Sequence, residues 1–257
     1  MNRFQEKRFL RESLLKSPFR MALVGGSGSG KTVYLLSLFD TLVIKYKHIF
    51  LFTPVYNSEY DSYIWPDHIN KVTTYEELDY ALITTKKKIE KHITIKSIKK
   101  SEHFLIILDD MGDKQTKSGC LLDFLNHGRH LNTSIILLCQ TYKHVPINGR
   151  TSITHFCCFN VSDSDIENML RSMSITGSKK ELLKAISLIK AISVNKRNIL
   201  IIEDSVFSDG EQRICNDKAD DNVIKRIPNP NILVKQFSHM KKELPNIISS
   251  YSESSVN

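Results

Sequence analysis

The chain has 257 residues, of which 41% are hydrophobic, enough to bury one substantial core and too little for two full-size ones. Lys and Arg outnumber Asp and Glu by 36 to 28, a formal net charge of +8 that suits a polyanionic partner. The opening MNRFQEKRFLRESLLK is too charged for a secretory signal, and no apolar run approaches the ~20 residues of a bilayer span. The 5 cysteines include no CxxC pair, as expected of free, mostly buried thiols in a reducing compartment. A soluble intracellular protein is expected, and the disulfide-framework and membrane-spanning classes are set aside.

In chain order, residues 5–16 carry the pattern of a short charged helix ended by Pro18. The apolar run 21–24 predicts a buried strand entering a Gly-rich turn. From 32 to 46 apolar side chains surround most of a helix, which is therefore expected to be deeply packed. A second strand at 49–52 stops at Thr53-Pro54. Residues 55–73, with Tyr56, Tyr60, Tyr63 and Trp65, show no clean period and read as an excursion over the surface. Core or subunit contact suits those aromatics better than stacking on bases, which a duplex hides. From 75 to 100 the pattern is helical and very basic. Strands follow at 104–108, 134–139 and near 155–160, with a helix around 121–126. Helical segments at 163–173 and 179–192 precede a last strand at 199–203. Beyond Asp204 the pattern weakens, with a terminal helix expected at 231–242 and a polar, disordered tail. Strands alternating with helices predict a mainly parallel sheet covered on both faces.

The turn GGSGSGKT comprises Gly25, Gly26, Ser27, Gly28, Ser29, Gly30, Lys31 and Thr32 and fits the P-loop pattern. Its glycines let successive amides point at phosphate oxygens, at the positive end of the following helix. Lys31 is placed to reach the β- and γ-phosphates of ATP, and Thr32 to put its hydroxyl on Mg²⁺. Average composition yields this pattern by chance in roughly 1% of such chains. A Gly/Ser linker would also not lie between an apolar strand and an apolar helix.

The run FLIILDD ends a buried strand with Asp109 and Asp110. Asp109 reads as the carboxylate that holds Mg²⁺ through water, and Asp110 as the general base that polarises the attacking water; the bland alternative is a surface turn after a core strand. Gln140, at the end of SIILLCQ, sits where a neutral polar side chain can sense the γ-phosphate or merely cap a turn. Arg129, in GRHLN, is a candidate to reach a neighbouring subunit's γ-phosphate and offset transition-state charge, against an ordinary surface ion pair; Arg150 is a weaker candidate. The strand at 49–52 falls between the P-loop strand and the Asp-Asp strand in sequence, which suggests a strand inserted between them in space. That is the layout of RecA-like motors. The expected fold is a three-layer α/β/α RecA-like P-loop NTPase with a mainly parallel central sheet. Its core is expected at 18–204, with an N-terminal helical extension at 1–17 and a C-terminal extension at 205–257.

In this order GGSGSGKT, LIILDDMGD and GRHLNTSIILLCQTY resemble the viral genome-packaging ATPases of the FtsK/HerA superfamily. KYKHIFLFTPVYN, YIWPDHIN, THFCCFNVS and ENMLRSM also resemble the poxvirus branch, so the likeness covers nearly the whole chain. The resemblance implies a homo-oligomeric ring that hydrolyses ATP to drive double-stranded viral DNA into an assembling virion in the host cytoplasm, alongside other assembly proteins. It makes residues 25–32 the Walker A loop, Asp109 and Asp110 the Walker B pair, Gln140 the sensor-strand residue and Arg129 the trans-acting arginine. Bacterial relatives usually place Glu where Asp110 stands, whose shorter arm sets the water differently.

Lys86, Lys87, Lys88, Lys91, Lys96, Lys99 and Lys100 could contact DNA phosphates without regard to sequence, or form a solvated helix face; Lys114 and Lys117 are second candidates. The spacings of His127, His130, Cys120 and Cys139 match no familiar zinc site. Two other classes stay open: a small-molecule or nucleoside kinase, and a DNA-binding scaffold that uses ATP as a switch.

Overall fold

The computed structural model describes residues 7–9, 11–95, 102–173, 186–187, 198–203 and 213–218. The apolar runs form strands, and these join one sheet. In chain order they are β1 (Lys7–Arg8), β2 (Arg20–Gly25), β3 (Tyr46–Thr53), β4 (Ile69–Lys71), β5 (His103–Asp109), β6 (Thr133–Cys139), β7 (His155–Phe159), β8 (Asn198–Glu203) and β9 (Arg213–Lys218). Across the sheet the order is β1-β9-β8-β7-β2-β6-β5-β3-β4. Every pairing is parallel except β7 with β8 and β8 with β9. The central strands β2, β6 and β7 are buried along their whole length, as sheets covered on both faces require.

Alternation along each strand divides the core in two. Ala22, Val24, Ile106, Leu108, Ile135 and Leu137 face one side, where they pack with Leu78, Leu82, Leu121, Phe124, Ile166 and Met169. Those partners come from α2 (Tyr75–Ile95), α4 (Gly119–His127) and α5 (Asp163–Ser172). The other layer is α1 (Lys31–Lys45), whose Leu35, Leu38, Phe39 and Leu42 are fully buried, each burial contributing about 1.5–3 kcal/mol. The helix starts are chemically marked. Thr74 and Glu77 form a reciprocal capping box at α2, and the hydroxyls of Ser118 and Ser162 accept amide hydrogens at α4 and α5.

Several sequence expectations change. A strand does lie between the P-loop strand and the Asp-Asp strand, but it is β6; the 49–52 strand is part of β3, on the far side of β5. All these strands read alike as apolar runs, and the crossovers that order them leave no mark in the sequence. Residues 11–15 form a 3-10 turn rather than part of a helix, and residues 7–8 are a strand. The cause is a distant pairing. Arg11 donates to Asp217 in β9 at 2.8 Å and to the Ser37 carbonyl at 2.9 Å, and the Tyr34 hydroxyl donates to Asp217 at 3.0 Å. Strand β9 also carries the sheet past the boundary expected at 204. A short helix, α3 (Asp113–Lys117), and the edge strand β4 were not anticipated. Of the helix expected at 179–192 only residues 186 and 187 are described, and they are helical; the helix expected at 231–242 and the tail lie outside the described residues. All 5 cysteines are free, four of them buried, and no helix among the described residues is long and apolar enough to cross a membrane.

Candidate nucleotide site

Parallel strands present all their carboxyl ends at one edge, and here that edge gathers the motifs. Val24 is level with Cys139, and Asp109 with Leu138. The turn after β2, the acidic pair after β5 and Gln140 after β6 are therefore neighbours, although more than a hundred residues separate the first from the last in the chain.

The turn at residues 25–32 owes its shape to its glycines. Gly28 and Gly30 have φ of 69° and 94°, values a side chain would strain. Gly25 is close-packed instead: a Cβ there would lie 2.5 Å from both Cβ and the carbonyl oxygen of Phe159, so β7 fixes the approach of the loop. The Lys31 ammonium donates to the carbonyls of Gly25 at 2.6 Å and Gly26 at 2.8 Å. Partial burial lowers its pKa, opposed by the nearby Asp110 and Asp109. Ser29 Oγ is buried with no hydrogen-bond partner among the described residues, a donor that a phosphate oxygen would satisfy. The loop thus fits a polyphosphate.

At the end of β5 the two carboxylates are held differently. Asp109 is half-buried and its pKa is raised, chiefly by that burial and further by Asp110, while a hydrogen bond from Tyr60 and the charge of Lys31 lower it. Asp110 is exposed and has φ of 52°, in the left-handed region that few residues other than Gly, Asn and Asp enter. Gln140 Nε2 donates to Asp110 Oδ1 at 2.7 Å. Thr32 and Asp109 supply oxygen ligands only, the set a hard cation such as Mg²⁺ takes.

One residue at this site was not singled out from the sequence. Tyr60 lies in the 55–73 excursion, is completely buried, and donates to Asp109 Oδ2 at 2.7 Å. Burial and the Asp109 charge push its phenol far above its ordinary pKa. Nothing local signals this, since the partner is in another segment. Ile64 is buried and Tyr63 stacks on Phe39 with centroids 4.8 Å apart, so part of the excursion packs into the core as expected.

Other candidate residues lie elsewhere. Arg129 is exposed in the turn that leads into β6, at the amino edge of the sheet and opposite the P-loop. Arg150 is engaged within the chain, its guanidinium 4.3 Å from the Tyr142 ring centre and donating to the Val145 carbonyl. Lys86 pairs with Asp123 at 2.7 Å, leaving Lys87, Lys88 and Lys91 exposed on α2; Lys96, Lys99 and Lys100 lie outside the described residues. Lys114 is half-buried and Lys117 sits over the Tyr75 ring. His127 bonds to Asp123, and the Cys139 thiol accepts from Gln115.

The sequence pattern that defines the poxvirus A32 protein family matches residues 6–246. This chain belongs to that family. Its relatives include the DNA packaging protein OPG160 of variola virus, 64% identical over 251 residues that cover 97% of this chain and 93% of that one. The protein of the same name from vaccinia virus (strain Copenhagen) is 63% identical over 251 residues, with the same coverage. Among solved structures, the genome packaging NTPase B204 from Sulfolobus turreted icosahedral virus 2, in complex with ATP-gammaS, aligns with a TM-score of 0.53 at 19% identity over 77% of this chain and 96% of that one. The pCW3 conjugation coupling protein TcpA, a monomer form with ATPgS, aligns with a TM-score of 0.53 at 16% identity over 87% of this chain and 66% of that one. At such identities the likeness bears on the fold, which is that of a RecA-like P-loop NTPase.

Proposed function

We propose that this A32-family chain is a motor that hydrolyses ATP to move double-stranded DNA into an assembling poxvirus particle. The observation that carries the reading is the meeting, at one sheet edge, of the phosphate loop, the Asp109–Asp110 pair and Gln140, in a family whose relatives bear the name DNA packaging protein.

In this reading Lys31 leaves the Gly25 and Gly26 carbonyls to meet the β- and γ-phosphates. Thr32 and Asp109 would hold Mg²⁺, and the ion would supply neutralisation of charge on the transferred phosphoryl group. Asp110 takes a proton from the attacking water, and Gln140 fixes the direction of its carboxylate through their 2.7 Å bond. Arg129 is too far around the sheet to serve its own subunit, so its proposed target is a neighbour's γ-phosphate in a homo-oligomeric ring. Its charge presses on buried Arg20, lowering the Arg20 pKa in addition to the larger effect of burial. An anion arriving from outside would relieve that pressure. Lys87, Lys88 and Lys91 remain candidates for DNA phosphates. The host cytoplasm is the proposed compartment, with other virion assembly proteins as partners.

Steady-state phosphate release with Mg²⁺, with and without linear duplex DNA, tests this reading against its rivals. Turnover raised by DNA and lost in Lys31→Ala is the expected result. Turnover that depends on a small phosphate acceptor instead would make the protein a kinase, and nucleotide binding without turnover would make it a switched scaffold.

A further inference from the structure

The Tyr60 hydroxyl is aimed at one of the two side chains on which the proposed metal site depends, and it has one proton to give. That proton goes to Asp109 Oδ2 at 2.7 Å. The bond fixes one carboxylate oxygen of Asp109 and leaves Oδ1 available.

The position of Tyr60 is itself firmly set. The Asn57 side chain accepts the Glu59 amide at the start of the 3-10 turn Ser58–Ser62. The amides of Tyr63 and Ile64 both bond to the Tyr60 carbonyl at 2.9 Å, and the stacked Tyr63 and buried Ile64 anchor the other side. A phenol that only filled space would not need its hydroxyl aimed at a half-buried carboxylate. Burial of that phenol also means that no water replaces it if the hydroxyl is removed.

We infer that Tyr60 is a positioning residue of the nucleotide site, which orients the Asp109 carboxylate for the cation accompanying ATP. The inference rests on the ATPase reading above and adds to it a link between the 55–73 excursion and the metal side of the site. Groups that orient metal ligands typically contribute about 10- to 100-fold in metal affinity.

The test is an Mg²⁺ titration of binding by a fluorescent ATP analogue, comparing wild type with Tyr60→Phe, with Tyr56→Phe as a control. Tyr56 bonds to Asp61 in the same segment and is exposed. For Tyr60→Phe the half-saturating Mg²⁺ concentration should rise about tenfold or more, while affinity measured in EDTA stays within about twofold; Tyr56→Phe should match wild type. Asp109→Asn separates orientation from general damage. If Tyr60 acts through Asp109, Tyr60→Phe should add little in the Asp109→Asn background, whereas a folding defect would add in full. An unchanged Mg²⁺ curve in Tyr60→Phe, or full additivity, would overturn the inference and leave the ATPase reading intact. Failure of the wild type to bind nucleotide at all would overturn both.

Discussion

Asp110→Asn should retain ATP and lose its hydrolysis. The substitution keeps the shape of the side chain and an oxygen that can accept from Gln140 Nε2. Asn also tolerates the positive φ of 52° at this position, so the turn after β5 should survive. What disappears is the carboxylate proposed to receive the proton of the attacking water. General-base catalysis contributes about 10²- to 10⁴-fold, so turnover should fall on the order of a thousandfold with Mg²⁺·ATP affinity changed by no more than about threefold. Lys31→Ala should behave differently, because the proposed contact of Lys31 with the phosphates is made in the ground state as well as in the transition state; it should weaken binding and turnover together. Equilibrium binding and single-turnover phosphate release on the same preparations separate the two. Near-normal turnover by Asp110→Asn would take the base role from Asp110 and leave it a turn-forming residue.

Arg129→Ala should lower turnover on the order of 10³-fold in the assembled protein and leave nucleotide binding by isolated subunits unchanged. The structure makes the contrast sharp, since Arg129 is exposed in the turn before β6, at the sheet edge opposite the P-loop. An arginine there has no path to its own γ-phosphate. In a ring that mixes Arg129→Ala with Lys31→Ala subunits, some interfaces combine an intact P-loop with an intact arginine. Those interfaces should restore turnover that neither variant shows alone. If mixing restores nothing, or if Arg129→Ala turns over normally in the ring, the arginine does not act across an interface.

The sequence was most legible where chemistry and local pattern coincide. The P-loop pattern fixes Gly25 and Gly30, and Gly30 takes φ of 94°, an angle that favours glycine. Asp109, Asp110 and Gln140 could be placed because each ends an apolar strand, and parallel strands deliver their carboxyl ends to one edge. What stayed hidden depends on partners far away in the chain. Tyr60 reads as one aromatic among several in an aperiodic stretch, and only its bond to Asp109, 49 residues on, distinguishes it. Arg11 looks like part of a charged helix face until Asp217, 206 residues away, draws it inward. Strand β9, RICNDK, escapes notice because only Ile214 and Cys215 in it are apolar and it lies near an edge of the sheet. Strand order was misread for the related reason that β3, β5 and β6 are equally apolar. Hydrophobicity says that each is central without saying which lies beside which. Lys86 shows the same limit on the surface, because its pairing with Asp123 on α4 removes it from a basic face that composition alone would credit to DNA.

If hydrolysis moves DNA, the assembled protein should displace a triplex-forming strand from linear duplex. Displacement should require ATP and Mg²⁺ and should be lost in Lys31→Ala and in Asp110→Asn. Brisk, DNA-stimulated phosphate release without displacement by the wild type would contradict the motor reading, and would mean that the energy of ATP is used for something other than moving along the duplex.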